Sequence, residues 1–247
     1  MTFRIAQISD THISEEDMYQ GVNSRKRLLE VFDIVKNKGA DLVVLSGDLA
    51  AKAGGLEIYR WMKEHLDKLG IPYIVMPGNH DRVDEMRKVF SWPVELMDES
   101  EIFFKLEFHN LVLFFLDSSS GSISQKQLEW LKEQNSTSAQ TVLLFIHHPP
   151  TLLFSEYSRI EQKYGLANRV EFFEVATNIS HLKAIFCGHY HIAKEIEIEG
   201  KAIYVCPSSM LQADVKENEI GTLPELYGFR WIVVQDQNRI ESEVIWI

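Results

Sequence analysis

The sequence has few cysteines, little positive charge and no long apolar run. Its 247 residues include only two cysteines, Cys187 and Cys206, and each lies in a strand-like segment. Two such cysteines do not form a disulfide framework, so we expect buried free thiols in a cytoplasmic protein. The chain has 25 Lys and Arg against 36 Asp and Glu, a net charge of −11. This balance argues against a broad basic surface for a nucleic-acid polymer.

Signals for a membrane or for export are also missing. No apolar run approaches roughly 18 residues, the length that suggests a membrane helix. The first residues run directly into a strand-like segment, without a basic region followed by a cleavage site. We therefore expect no secretory signal and no membrane partner.

Five segments share one pattern, in which a short apolar run ends in a small polar cluster. The runs are residues 3–9, 41–46, 72–76, 142–146 and 184–187. Continuous apolar runs of this length are typical of buried central strands. Polar groups at the ends of such strands are where α/β proteins place their ligands.

Amphipathic stretches between these runs predict helices at residues 25–38, 56–69 and 125–133. The first half of the chain therefore reads β-α-β-α-β. Residues 102–117 predict a hairpin that turns near His109 and Asn110. Further strands are predicted at residues 195–199, 202–206, 229–236 and 241–247, with turns at Gly200-Lys201 and Gln237-Asn238.

These elements predict one α/β domain over residues 1–247 with two packed sheets, because the sequence contains no repeat, low-complexity tract or linker. The segment Leu152–Asn178 is less regular and mixes aromatic with charged residues. Two interpretations are open for it: a cap over a site, or a loop that leads into a helix near Val170–Thr177.

The polar clusters contain six of the nine histidines together with three aspartates and an asparagine. These residues are Asp10, His12, Asp48, Asn79, His80, Asp81, His147, His148, His189 and His191. Each cluster alone is a weak signal, because Asp-Thr-His or Gly-Asp after a strand is commonly a turn. His189 and His191 would point to opposite faces of an extended backbone, so they need a bend to converge. Five clusters in this order favour a site with enough mixed oxygen and nitrogen ligands for two ions of Mn, Fe or Zn.

The ordered set resembles the calcineurin-like metallophosphoesterase superfamily. That superfamily has the blocks D-x-H, G-D, G-N-H-[DE], H and G-H-x-H. They stand here as Asp10/His12, Gly47-Asp48, Gly78-Asn79-His80-Asp81, His147 and Gly188-His189-Tyr190-His191. The resemblance covers roughly residues 3–210 and implies a four-layer α/β/β/α sandwich of two mixed sheets.

The resemblance also implies a binuclear metal centre. One ion would be held by Asp10, His12, Asp48 and His191, and the other by Asp48, Asn79, His147 and His189. A hydroxide between the two ions would attack phosphorus. His80 would act as a catalytic residue on the phosphate or leaving oxygen, and Asp81 would orient His80 through a hydrogen bond. His148 is assigned to the pocket wall or to the groups behind the ligands, and its role is open.

The sequence differs from several branches of this superfamily, and these differences indicate which branch it resembles most. Asp48 is followed by Leu49-Ala50-Ala51-Lys52, whereas protein serine/threonine phosphatases have Asp-Arg-Gly soon after this block. Ala51 stands where purple acid phosphatases have a tyrosine ligand. The class III cyclic-nucleotide phosphodiesterases and their glycerophosphodiesterase relatives resemble the chain more closely. The similar stretches are residues 116–118, 127–131, 147–150, 165–168 and 205–209, with Gln212.

The leading hypothesis is a phosphoric diester hydrolase that acts on a small phosphodiester such as 3′,5′-cyclic AMP. A phosphomonoesterase or pyrophosphatase on the same site is the alternative, because two-metal chemistry does not choose among phosphoesters. A catalytically inactive binding protein is disfavoured, since no motif residue is missing. The metal identity, the oligomeric state, with a homodimer as one option, and the specificity residues in 151–178 are open.

Overall fold

Strands and helices alternate at the start of the chain in the structure, a computed structural model. It describes residues 2–92, 99–108, 110–134, 141–154, 158–216, 219–235 and 239–247. The first elements are β1 (Phe3–Ile8), α1 (Ser24–Lys38), β2 (Leu42–Ser46), α2 (Leu56–Leu69), β3 (Tyr73–Met76) and α3 (Val83–Val89). The predicted β-α-β-α-β order is confirmed, and α3 is an addition to it.

The middle of the chain contains a hairpin, three helices and two further strands. These elements are β4 (Phe104–Phe108), β5 (Leu111–Leu116), α4 (Gln125–Glu133), β6 (Thr141–Ile146), α5 (Arg159–Tyr164), α6 (Arg169–Thr177) and β7 (Leu182–Cys187). Strands β4 and β5 pair antiparallel, as the predicted hairpin requires. Its predicted turn includes His109, which lies outside the described residues.

The C-terminal third consists of strands. They are β8 (Lys194–Ile198), β9 (Lys201–Val205), β10 (Gln212–Lys216), β11 (Glu219–Leu223), β12 (Gly228–Val234) and β13 (Ile240–Trp246). The four predicted strands are present, while the β10–β11 hairpin was missed. The predicted turn at Gln237-Asn238 lies outside the described residues.

Two large mixed sheets organise the strands. The first sheet has the order β13-β12-β1-β2-β3, and the second has the order β4-β5-β6-β7-β9-β8. Within them, β1, β2 and β3 run parallel, as do β5, β6, β7 and β9. Strand β12 returns antiparallel beside β1, so the C-terminal part of the chain completes the first sheet.

Strand β5 shows why both faces of the second sheet are covered. Its alternate residues Leu111, Leu113 and Phe115 belong to the core between the sheets. Val112, Phe114 and Leu116 belong to a second core on the outer face, which includes Leu128 of α4 and Phe172 of α6. A strand buried on both faces reads as a continuous apolar run, as the sequence does here.

Helix α1 covers the outer face of the first sheet. Leu28, Val31, Phe32 and Val35 recur at helical spacing and are buried. The helix begins where the Asn23 side chain accepts a hydrogen bond from the Lys26 amide, and it ends at Gly39 in the left-handed conformation. With α4 and α6 on the outer face of the second sheet, helices flank the pair of sheets, in agreement with the predicted sandwich.

The two cysteines agree with a further prediction. Cys187 and Cys206 are buried and unpaired. In the part of the chain that the structure describes, no helix is long and apolar enough to cross a bilayer.

A row of stacked aromatic rings crosses the second sheet. Phe104, Phe115, Phe145, Phe186 and Tyr204 occupy paired positions on five neighbouring strands. Successive ring centroids are 4.9, 5.3, 5.1 and 5.1 Å apart, with interplanar angles of 24° or less. Phe145 stands at the centre of the row, so its ring packs against an aromatic neighbour on each side.

We expect Phe145→Ala to lower the free energy of unfolding by about 3–5 kcal/mol, because it opens a cavity in the core. Phe145→Leu keeps most of the volume and should cost less than half of that amount. Urea denaturation of the two variants measures both values. Equal losses for alanine and leucine would contradict this account of the aromatic row.

Candidate metal centre

The carboxyl ends of five strands meet at one edge of the two sheets. Asp10 and His12 follow β1, Asp48 follows β2, and Asn79 follows β3. From the second sheet, His147 follows β6 and the Gly188–His191 segment follows β7. Hydrogen bonds join the two sets of strands, since the Gln7 side chain donates to the Cys187 carbonyl at 3.1 Å. The polar clusters that are far apart in sequence are therefore neighbours.

The backbone bends sharply at these strand ends. Asp10, His12, Asp48, His189 and His191 all have positive φ angles, between 41° and 77°. This left-handed conformation is uncommon for residues other than glycine, and it clusters at functional sites. The bend that His189 and His191 were predicted to need is present at both residues.

Two glycines of the motifs allow carboxylates to approach the backbone. A Cβ atom on Gly78 would lie 2.3 Å from Oδ1 of Asp48. A Cβ atom on Gly188 would lie 1.9 Å from Oγ of Ser9 and 2.7 Å from Oδ2 of Asp10. Any larger residue at either position would displace a carboxylate of the site.

Carboxylate oxygens and histidine nitrogens face one another across a small space. Nε2 of His147 lies 3.4 Å from Oδ2 of Asp48 and 4.0 Å from Oδ1 of Asp10. Nε2 of His191 lies 3.5 Å from Oδ1 of Asp10 and 2.9 Å from Nε2 of His12. These groups form three triads whose ligand atoms lie within 4.8 Å of one another: Asp10/His12/His191, His12/Asp48/His80 and Asp48/His147/His189.

The histidines are oriented by hydrogen bonds to main-chain carbonyls. Nδ1 of His147 lies 2.8 Å from the Ser46 carbonyl, and Nδ1 of His191 lies 3.1 Å from that of Leu211. Nε2 of His189 lies 2.8 Å from the Tyr164 carbonyl. These bonds fix each ring through its outer nitrogen, so that the inner nitrogen faces the other groups of its triad.

The inner nitrogens of two histidines lack partners, which a bound metal ion would explain. Nε2 of His147 and Nδ1 of His189 are buried and lack a hydrogen-bond partner in the structure. A buried polar atom without a partner is costly, and a bound cation removes that cost. The mixed oxygen and nitrogen donors suit a first-row transition metal. The residues therefore fit the metal site that the sequence implied, while the role of each ligand stays a prediction.

The electrostatics of the site depend on burial and on the two aspartates. Burial tends to raise the pKa of Asp48, but His147 and His12 together lower it well below its usual range. Burial tends to lower the pKa of His147, yet Asp48 and Asp10 raise it to about 9. Burial and neighbouring histidines lower the pKa of His12 and of His189 to about 3. Those two rings are neutral at pH 7, which is the form that binds metals.

The loop after β3 holds Asn79, His80 and Asp81 beside this cluster. Asn79 is exposed and lines the cavities next to the triads. The partly buried His80 donates its amide to Oδ1 of Asp48 at 2.9 Å, and its ring stands edge-on to His12 at 5.0 Å. Both side chains therefore reach the open side of the site.

Asp81 contacts groups other than the one predicted. Its carboxylate accepts hydrogen bonds from the amides of Leu49, Ala50 and Gly78 and from the Tyr59 hydroxyl. No hydrogen bond to the His80 ring is present among the described residues, so the proposed direct orientation of that ring is wrong. Asp81 instead connects the loop after β3 with the loop that carries Asp48, because its two oxygens accept hydrogen bonds from main-chain amides of both loops.

His148 is buried behind His189, with ring centroids 4.1 Å apart. Its Nδ1 lies 2.9 Å from the Ser118 hydroxyl, and that hydroxyl also accepts the His148 amide. His148 lines a cavity beside the triads. Its position beside the His189 ring is compatible with the predicted place, and its role stays a prediction.

Two cavities open beside the triads. The first, of about 420 Å³, lies under the β10–β11 hairpin and includes His12, Asp48, His80 and His191 in its wall. We call it the hairpin cavity. Within the segment Leu152–Asn178, α5 contributes Ile160 and Tyr164 to this wall, and α6 is the helix predicted near Val170–Thr177.

Glu161 on α5 is a buried carboxylate that the sequence gave no reason to single out. Its Oε1 accepts the amides of Leu153 and Phe154, and its Oε2 accepts the Tyr190 hydroxyl at 3.0 Å. Because Tyr190 lies between His189 and His191, Glu161 joins α5 to the last motif. The carbonyls of Ser46, Tyr164 and Leu211 were also missed, since a main-chain acceptor has no sequence signature.

We expect Glu161→Gln to lower the free energy of unfolding by about 1–3 kcal/mol, because the amide presents a donor where the carboxylate accepts. The matched control Tyr190→Phe removes one contact only, and it should cost about 0.5–1.5 kcal/mol. Urea denaturation monitored by tryptophan fluorescence checks both values. A Glu161→Gln variant as stable as the native protein would contradict this role.

Comparisons with known proteins agree with this geometry. The chain is 35% identical over 212 residues to a "probable cyclic nucleotide phosphodiesterase" of Fibrobacter succinogenes, covering 85% of this chain and 81% of the relative. It is 28% identical over 230 residues to the 3′,5′-cyclic adenosine monophosphate phosphodiesterase CpdA of Escherichia coli, covering 85% of this chain and 77% of the relative.

The fold is also similar to that of solved structures. A dimetal phosphatase from Danio rerio superposes with a TM-score of 0.70 at 14% identity, over 98% of this chain and 95% of that one. Residues 3–193 match the family described as calcineurin-like phosphoesterase. With the ordered motifs, the two sheets and the converged triads, this match shows that the chain belongs to the calcineurin-like phosphoesterase family.

Proposed function

We propose that the protein is a two-metal phosphodiesterase that hydrolyses a small phosphodiester such as 3′,5′-cyclic AMP. The observation that carries the proposal is the set of three triads, which are linked through His12 and Asp48 and border the hairpin cavity. The names of the relatives from Fibrobacter succinogenes and Escherichia coli support a cyclic nucleotide as the substrate class.

Two ions of Mn, Fe or Zn would be held by the residues that the motifs single out. The ligands would be Asp10, His12 and His191 for one ion, Asn79, His147 and His189 for the other, and Asp48 for both. When bound, such a pair of ions supplies Lewis acidity and lowers the pKa of water towards neutrality. The carbonyls of Ser46, Leu211 and Tyr164 would keep the histidine rings in the orientation that binding needs.

The other residues of the site have roles on the substrate. The His80 ring lines the hairpin cavity and faces His12, so it is placed to donate a hydrogen bond to a phosphate or leaving oxygen. Asp81 supports the loop that carries His80, through the hydrogen bonds to Leu49, Ala50 and Gly78. A cavity of this size and the net charge of −11 favour a small diester over a nucleic-acid polymer. Unpaired cysteines favour the cytoplasm as the place of action.

A turnover assay on the manganese-loaded protein tests the proposal. The substrates are 3′,5′-cyclic AMP, a glycerophosphodiester, an aryl diester and an aryl monoester, compared by kcat/KM. We expect both the cyclic nucleotide and the aryl diester to exceed the monoester. A monoester preference would assign the same site to a phosphomonoesterase, and it would overturn the proposal.

We expect Asp48→Ala to abolish metal binding and diester hydrolysis together, because Asp48 faces both His12 and His147. Elemental analysis of the purified variant gives the metal content, and an aryl diester gives the activity. Asp33→Ala on the exposed face of α1 is the matched control and should keep both. Full turnover by Asp48→Ala would contradict the proposal that Asp48 is a ligand of both ions.

A further inference from the structure

A second cavity adjoins the candidate metal centre on the side away from the hairpin. Its volume is about 500 Å³, and its wall includes Ser119, Ser120 and His148. We call it the serine cavity. Asn79, Tyr164 and His189 belong to the walls of both cavities, so the two spaces meet beside the triads. Each volume alone lies within the range of pockets for small molecules, about 300–1,000 Å³.

The hairpin cavity has an apolar wall opposite its metal-ligating side chains. Met210 and Leu211 belong to this wall, together with Val215 and Ile220 of the β10–β11 hairpin. Ile220 is half exposed, at 50%, although it is a large apolar residue. A wall of this kind suits an apolar or aromatic group, which would cover the exposed surface.

The serine cavity has a different chemistry. Lys163 and Arg169 are in its wall, and neither has a carboxylate within 4.0 Å among the residues that the structure describes. The acidic residue in the same wall is Glu161, whose oxygens already accept two amides and the Tyr190 hydroxyl. The two cations are therefore available to a ligand, in a chain whose overall charge is −11.

Arg169 is the better placed of the two cations. Its side chain is partly buried, and Nη1 donates to the Leu166 carbonyl at 3.3 Å, which restricts its position. Lys163 is exposed and lies over the Tyr164 ring at 4.8 Å. A restricted guanidinium loses little freedom when it binds an oxyanion, and it can contact two oxygens at once.

We propose that the site accepts linear diesters with two arms of different chemistry. An apolar or aromatic arm would occupy the hairpin cavity, and an arm with an additional negative charge would occupy the serine cavity, where Arg169 would determine specificity. The inference rests on the proposed phosphodiesterase activity. Hydrolysis forms one P–O bond to water and breaks one ester P–O bond, and a proton goes to the leaving oxygen. A linear diester carries one substituent on the leaving oxygen and the other on an ester oxygen that stays on phosphorus, so two cavities that meet beside the triads suit a substrate with two arms.

The test compares two linear dinucleotides that differ only by a 5′-terminal phosphate, with bis(p-nitrophenyl) phosphate as the reference diester. We expect kcat/KM for the phosphorylated dinucleotide to exceed that of the other dinucleotide by about threefold to tenfold, mostly through a lower KM. The expected ratio is modest because a single charge contact near the surface contributes little binding free energy. A ratio near one with good turnover of the aryl diester would overturn this inference alone. No turnover of the aryl diester would overturn the proposed function as well.

Variants test whether Arg169 causes the preference. In Arg169→Gln the ratio between the two dinucleotides should fall towards one, and in Arg169→Lys part of it should remain. Arg60→Gln removes the same charge from the exposed face of α2, outside both cavities, and should keep the ratio. Thermal denaturation of each variant checks folding. An unchanged ratio in a folded Arg169→Gln variant would exclude Arg169 as the specificity residue.

Discussion

The burial of two carboxylates at the junction of the sheets is the constraint on which the rest of the site depends. Asp10 is fully buried, and Asp48 is 2% exposed. A buried carboxylate is unfavourable unless donors or cations compensate it. Here the amides of His189 and His80 donate to Asp10 and Asp48, and the ring of His147 faces both carboxylates. Backbone and side chains of five strand ends must therefore lie close together.

This requirement accounts for the unusual backbone of the site. The turns after β1, β2 and β7 place residues in the left-handed conformation so that side chains and amides face the same centre. Such a conformation persists only where the surrounding structure holds it in place. The support includes contacts between segments of both sheets, such as the Ser208 hydroxyl on the Asp10 carbonyl at 2.7 Å. The packing of the two sheets and the geometry of the site are thus linked.

The segment between β6 and β7 contacts the residues of the last motif. Helix α5 presents the Tyr164 carbonyl to His189 and the Glu161 carboxylate to Tyr190. The same short helix borders both the hairpin cavity and the serine cavity, since Tyr164 belongs to both walls. One element therefore contacts a candidate ligand and contributes to both cavities.

The sequence by itself determined most of the strands, the order of the motifs and the family. A strand that is buried on both faces appears in the sequence as a continuous run of apolar residues, such as residues 142–146. Each strand can therefore be predicted from its own residues. The positions of Asp10, His12, Asp48, His147, His189 and His191 at strand ends could be predicted for the same reason. The contacts of Asp81 could not, because three of its partners are main-chain amides, which no residue type identifies, and two of these amides are about 30 residues away. Tertiary structure alone decided these contacts, the β10–β11 wall and the two cavities, since they arise where distant segments pack together.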